Sequence, residues 1–293
     1  MEIKKVGIVG CGLMGSGYTQ LCAQSGYQVI VLELDYELLN KGMALVNSRL
    51  TESVNKGDLS QQDKDAILAR AEGTTNIQDF SDCDFVIEAV TEKMQVKKEV
   101  FTQLDRICRR NIVLATNTSV LSIIDIGAVT KRPDKVLGIH MNPLMSPLAE
   151  IVKTLATSEE TLEIGKKFSK SLGKDFIIAR DTPGFVVNRL LTPFLLNAIR
   201  MLESGVATRD DIDTGIVRGL GYPMGPLAML DVIGLDTVLL GTTAMYEDLK
   251  DPQYAPPTLL KKMVTAGWLG CKSGKGFYAY KQPRSKQETI IDS

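Results

Sequence analysis

The chain has one histidine and one tryptophan in 293 residues, and only five cysteines. Cys11, Cys22, Cys83, Cys108 and Cys271 are odd in number and never stand in CxxC spacing. That pattern argues against a disulfide scaffold and a zinc site, so no metal is expected and a reducing compartment fits. Long apolar runs are missing as well. None approaches the roughly 18–20 residues needed to span a bilayer. Nor does either sign of charge dominate: 34 Lys and Arg oppose 35 Asp and Glu, for a net charge of −1. Without a concentrated basic face, a nucleic-acid surface is not expected. The opening MEIKKVGIVG enters a strand-like run at once, with no charged, apolar and cleavage regions of a signal peptide. The expectation is a cytoplasmic protein that binds neither membrane nor nucleic acid.

What is present is an ordinary globular composition, 44% hydrophobic and 24% charged, long enough for one large domain or two ordinary ones. The first half alternates short Val/Ile/Leu runs (3–10, 28–34, 84–90, 111–117, 135–141 and 175–180) with amphipathic stretches such as 13–25, 36–70 and 95–108. Near-continuous apolar strands separated by helices predict a doubly wound α/β fold with a parallel sheet covered on both faces. After 181-DTPGFVVNR-189 the strands stop, and helical patterns follow at 185–203, 209–219, 226–247 and 257–266. The expected organisation is a Rossmann-type domain over 1–181, a smaller all-helical domain over 182–281 and a mobile polar tail over 282–293.

Residues 6-VGIVGCGLMGSG-17 read strand, glycine turn, helix, with Gly10, Gly12 and Gly15 in G-x-G-x-x-G spacing. Such a turn needs glycine for its tightness, for close backbone approach to a pyrophosphate and for helix–strand packing, while the helix N-terminus faces the phosphates. The second strand ends in Glu33, where a carboxylate accepts hydrogen bonds from the adenine ribose hydroxyls. Glu33 and Asp35, with no Arg or Lys beside them, would repel a 2′-phosphate, so NAD is expected over NADP.

An alcohol-oxidising nicotinamide enzyme needs a base for the hydroxyl proton. The single histidine, His140, stands at the carboxyl end of a strand, where ligands bind such folds. Glu150 could orient its ring if the intervening loop folds back. The plainer alternative is a buried imidazole that only closes a strand.

Several ordered motifs then resemble one family. These are GCGLMGSG at 10–17, IEAVTEKMQVKKEVF at 87–101, ATNTSVLSI at 115–123, HMNP at 140–143, DTPGFVVNRLL at 181–191, YPMGPLAMLDVIGLD at 222–236 and GWLGCKSGKGFYAY at 267–280. Over residues 3–281 the chain is similar to the short-chain L-3-hydroxyacyl-CoA dehydrogenases, especially the bacterial 3-hydroxybutyryl-CoA enzymes. The resemblance implies an NAD-dependent oxidoreductase of fatty acid metabolism that interconverts an L-3-hydroxyacyl-CoA and its 3-oxo form, and a homodimer built through the helical domain. It makes His140 the catalytic acid/base and Glu150 its partner. Gly10, Gly12, Leu13, Met14 and Gly15 become the pyrophosphate loop, and Glu33 stands where the family usually has Asp. Glu92, Lys97, Asn142 and Lys272 become cofactor contacts. Ser119 and Asn188 become hydrogen-bonding partners of the substrate oxygen, with Ser119 close to the nicotinamide, and Lys56 of VNKG becomes a contact for the phosphate end of CoA. Plainer alternatives stay open: Ser119 as a helix cap, Asn188 as an early-helix polar residue, Lys56 as a solvated helix-end charge.

The resemblance breaks between His140 and Glu150. The family usually has a bulky aromatic pair after the histidine and a longer loop; here Met141 takes the place of the pair and the loop is two residues shorter. The spacings from Ser119 to His140 and from Glu150 to Asn188 match. The expectation is an altered acyl pocket. Pro147-Leu148 is similar to the related L-gulonate and carnitine dehydrogenases, so a dehydrogenase of a free 3-hydroxy acid is the alternative. A non-catalytic nucleotide-binding protein is a further one, though it would need none of Ser119, His140, Glu150 and Asn188.

Overall fold

The protein is described from a computed structural model, in which residues 2–280 are placed; the expected tail, 282–293, lies outside the described residues. The chain divides between Thr182 and Pro183 into two compact units.

The first unit alternates strand and helix: β1 (Lys5–Val9), α1 (Leu13–Gln24), β2 (Gln28–Leu32), α2 (Tyr36–Lys56), α3 (Gln61–Leu68), β3 (Ala71–Thr74), β4 (Phe85–Glu88) and α4 (Met94–Ile107) come first. Then come β5 (Val113–Thr116), α5 (Ile123–Gly127), β6 (Val136–His140), β7 (Leu148–Lys153), α6 (Glu159–Ser171) and β8 (Asp175–Arg180). The strands form one sheet in the order β3-β2-β1-β4-β5-β6-β7-β8. The order reverses between β1 and β4, which opens a crevice at their carboxyl ends. The core is the apolar strand interior, including Val6, Ile8, Val31, Phe85 and Ile87, packed against helical side chains such as Tyr18, Leu50 and Phe168. Phe85 and Phe168 stack with ring centroids 4.3 Å apart. Burying each such large side chain contributes about 1.5–3 kcal/mol.

Several expectations need correction. The sheet is not wholly parallel, because β6 and β7 pair antiparallel. Residues 141–147 are too few for a parallel crossover, which takes a dozen or more, and they close a hairpin instead. Two strands escape the hydrophobic pattern: β3, at the sheet edge with exposed Glu72 and Gly73, and β7, whose apolar run is interrupted by Glu150. The stretch 36–70 is two helices, separated after Lys56 by Gly57 in a left-handed conformation.

The second unit is helical among its described residues: α7 (Val187–Glu203), α8 (Arg209–Leu220), α9 (Pro226–Ile233), α10 (Leu235–Leu249) and α11 (Thr258–Thr265). The helix expected over 226–247 is broken at Gly234, where φ is 95°, and α9 and α10 bend by 95°. Leu195, Leu196, Ile199, Ile212, Leu227, Leu230 and Leu260 form its core. No single described helix is long and apolar enough to cross a membrane. All five cysteines are buried free thiols. Burial raises Cys11 and Cys83 to about 12 and Cys108 to about 11, so these three stay protonated near neutrality.

Candidate active site

The glycine turn joins β1 to α1 at the strand-order reversal. Gly10 has φ +92°, and a Cβ there would lie 2.9 Å from the carbonyl oxygen of Ala89, just beyond β4. A Cβ on Gly15 would strike the Gly10 carbonyl. Both positions therefore demand glycine, one for backbone conformation and one for closeness. Gly12 and Leu13 are exposed, with nothing within 4 Å of a Cβ at Gly12, and Gly12 caps α1 without a side-chain hydrogen bond. The first-turn amides of α1 are thus left for an anionic group, which fits a dinucleotide pyrophosphate.

Glu33 reaches back over this turn. Its Oε1 accepts from the Cys11 amide at 2.5 Å and its Oε2 from Leu34 at 3.1 Å. The carboxylate is therefore held beside the loop, as a ribose ligand would need. Asp35 is occupied elsewhere, capping α2 through the Leu38 amide at 2.8 Å. The local sequence shows no basic residue here, but α2 brings Arg49 in, its Nη1 donating to Ser16 at 3.1 Å.

His140 and Glu150 are register partners across the β6–β7 hairpin. The imidazole Nδ1 lies 2.7 Å from Glu150 Oε2, with the two side chains 17% and 3% exposed. The ten-residue spacing brings them face to face because residues 141–147 fold into a tight turn. Within it Asn142 Oδ1 accepts from the amides of Leu144 and Met145, and its main-chain oxygen from Ser146 at 3.0 Å. The turn sits on the cofactor helix: a Cβ on Gly17 of α1 would lie 2.7 Å from Pro143 Cγ. Met141 is buried in the core, while Met145 is partly exposed. Sequence reasoning missed Asn117, whose Oδ1 lies 2.7 Å from the Tyr18 hydroxyl and 3.5 Å from the Met141 amide. It links the ends of β5 and β6.

Ser119 does not cap a helix. The next helix, α5, starts at Ile123 and is capped by Ser122. Instead Ser119 sits in a turn after β5, its amide donating to Glu92 Oε1 at 2.8 Å. Lys97 is only 1% exposed and its ammonium lies 2.7 Å from Glu88, itself fully buried. Its ammonium is enclosed by Glu88, by Glu92 at 3.4 Å and by the Val90 carbonyl. Glu88 was missed altogether, although an acid inside the apolar run FVIEAV is a visible signal.

The remaining candidates lie apart in the chain. Lys56 ends α2, exposed and 2.7 Å from Glu52 in an i,i+4 pair. In the helical unit, Asn188 is the second residue of α7 and Lys272 lies 2.5 Å from Asp236 Oδ2.

A glycine turn with open amides, a carboxylate over it and a carboxylate-held imidazole at neighbouring strand ends are the parts of a nicotinamide-dependent alcohol dehydrogenase. Residues 5–182 match the family model of the NAD-binding domain of 3-hydroxyacyl-CoA dehydrogenase, and residues 184–280 match that of its C-terminal domain. A 3-hydroxybutyryl-CoA dehydrogenase of Mycobacterium tuberculosis is 45% identical over 282 residues, covering 95% of this chain and 99% of that relative. The human mitochondrial hydroxyacyl-coenzyme A dehydrogenase is 37% identical, covering 95% of this chain and 92% of its own length. Among solved structures, the (S)-3-hydroxybutyryl-CoA dehydrogenase of Ralstonia eutropha superposes with a TM-score of 0.92 at 41% identity, covering 96% of this chain and all of that one. With both units matched in order, the chain belongs to the 3-hydroxyacyl-CoA dehydrogenase family and is an NAD-dependent oxidoreductase.

Proposed function

We propose that the protein interconverts an L-3-hydroxyacyl-CoA and the corresponding 3-oxoacyl-CoA, with His140 as general acid/base. The observation that carries this reading is the 2.7 Å contact between His140 Nδ1 and the buried Glu150. NAD, when bound, supplies the hydride acceptor. His140 takes the substrate hydroxyl proton at Nε2 as the hydride leaves C3, and returns it in the reverse direction. Glu150 fixes the ring and stabilises the imidazolium that forms. Ser119 and Asn188 hydrogen-bond the oxygen while its charge changes. Glu33 holds the adenine ribose; Glu92, Lys97, Asn142 and Lys272 contact the cofactor. Lys56 meets the phosphate end of CoA. The helical unit forms a homodimer, and the enzyme works in the cytoplasm.

The acyl group is where this chain departs from its relatives. The 141–147 turn is short, seated on α1 and led by a buried Met141, so its wall of the acyl pocket differs. An NADH-oxidation assay tests the whole reading. Acetoacetyl-CoA is compared with longer, branched and carboxylated 3-oxoacyl-CoAs and with free 3-oxo acids. The expected result is turnover of CoA thioesters, slower with NADPH, with a non-four-carbon acyl group preferred. Turnover of free acids alone would establish the L-gulonate or carnitine type instead. A plain four-carbon preference would defeat only the altered pocket.

A further inference from the structure

Behind the strand ends runs a closed loop of charge. Glu88, the last residue of β4, accepts from Lys97 Nζ and from the Val90 amide on Oε1, both at 2.7 Å. On Oε2 it accepts from the Thr116 hydroxyl at 2.6 Å, on the last residue of β5. Lys97 passes to Glu92 Oε2 at 3.4 Å. Glu92 Oε1 then gathers three donors from consecutive residues: the Thr118 hydroxyl at 2.6 Å, the Ser119 amide at 2.8 Å and the Val120 amide at 3.3 Å. The Thr118 oxygen in turn accepts from the Leu121 amide at 3.0 Å. The turn that carries Ser119 is therefore gripped at its root by Glu88 through Thr116, and at its tip by Glu92.

Hydrophobic side chains would fill this volume at no loss of stability, because a buried ion pair roughly breaks even against them. What they would not supply is direction. An ammonium between two carboxylates, each with further donors, allows one arrangement of the turn. Glu88 and Thr118 are fully buried and Lys97 nearly so, whereas Glu92 and Ser119 are partly exposed.

We propose that Glu88 and Thr118 are positioning residues of the reaction, and that the Glu88–Lys97–Glu92 chain serves first to set Ser119. This rests on the reading of Ser119 as the ligand of the substrate oxygen.

A double-mutant cycle tests it, because coupled residues depart from additivity. Thr118→Val removes one donor and leaves every charge in place; Glu88→Gln cuts the chain at its root. Each is expected to lower kcat/KM by about tenfold to hundredfold, the scale of a small misplacement. The loss falls mainly on kcat, NADH binding measured by fluorescence is unchanged, and Thr118→Ser restores activity. In a Ser119→Ala background, which is itself impaired, either change costs nothing more. If Glu88→Gln does not fold, the Thr118 variants decide. Wild-type turnover in Thr118→Val, a parallel loss of NADH binding, or a full effect persisting on Ser119→Ala overturns the inference while the Ser119 assignment stands. Wild-type turnover in Ser119→Ala itself overturns both.

Discussion

In the sheet unit, Glu150 and Glu88 are almost wholly buried and each meets a basic side chain, His140 or Lys97. In the helical unit, Asp213 and Asp231 are also buried but meet main-chain amides and tyrosine hydroxyls. Asp213 accepts from Leu227, Ala228 and the Tyr278 hydroxyl; Asp231 accepts from Phe277, Tyr278 and the Tyr280 hydroxyl. The partners separate the roles. Amides cannot give up a proton near neutrality, so Asp213 and Asp231 act as staples that tie the last described segment to α8 and α9. An imidazole can, so the Glu150 contact is suited to proton transfer. A basic partner alone is not enough. Asp105 in the sheet unit meets Arg132, whose guanidinium never deprotonates and also donates to the Asp105 and Cys108 carbonyls near the end of α4. Burial pushes the Asp105 carboxyl up, but Arg132 and the Lys131 amide outweigh it and hold it below the usual range.

The sharpest way to break this contrast is His140→Ala. Turnover should fall by about 10²–10⁴-fold with NADH binding retained, the range of a lost general base. Stopped-flow NADH oxidation beside fluorescence titration measures both, and surviving turnover would move the chemistry elsewhere. Glu150→Gln keeps the shape but removes the charge that steadies the imidazolium. A loss of about 10²–10³-fold in kcat is expected. Wild-type turnover in this variant would reduce Glu150 to a structural contact.

Asp231→Ala should do the opposite. It strands three donors, so about 1–3 kcal/mol of stability is lost for each donor left buried. The melting temperature drops while kcat/KM, read well below it, holds. A matching loss of activity would erase the distinction between the units.

The smallest effect is a pH slope. Burial is the main cause that raises the Asp231 carboxyl above its ordinary value, with Asp213 adding to it and the Phe277, Tyr278 and Tyr280 donors opposing. The folded protein thus holds this proton more tightly than the unfolded chain. Its contribution to stability falls as pH rises from the ordinary carboxylate range through the raised value, and is level above it. Urea denaturation across acidic pH should show a flatter profile for Asp231→Asn than for wild type; parallel profiles would exclude the residue as a source of the slope.

Much of the site was legible because it depends on local spacing. The Gly10–Gly15 turn, Glu33 at the end of the second strand and His140 at the end of another follow from short-range rules about strands, turns and helix ends. The hairpin was less legible, since Glu150 interrupts the apolar run that would announce β7, although the shortness of 141–147 already excluded a crossover. Glu88, Asn117 and Arg49 went unread for a different reason. Each acts through partners distant in sequence: Thr116 and Lys97, Tyr18, and Ser16.

The amino-acid order by itself determined the alternation of strand and helix, the dinucleotide turn and the candidate acid/base, because periodicity, glycine placement and a lone imidazole are properties of neighbouring residues. Only the tertiary structure decided that His140 faces Glu150 across an antiparallel pair, that Lys97 is enclosed, and that Glu92 grips the Ser119 turn. Strand pairing and burial are what choose a side chain's partner, and both arise only when distant segments pack together.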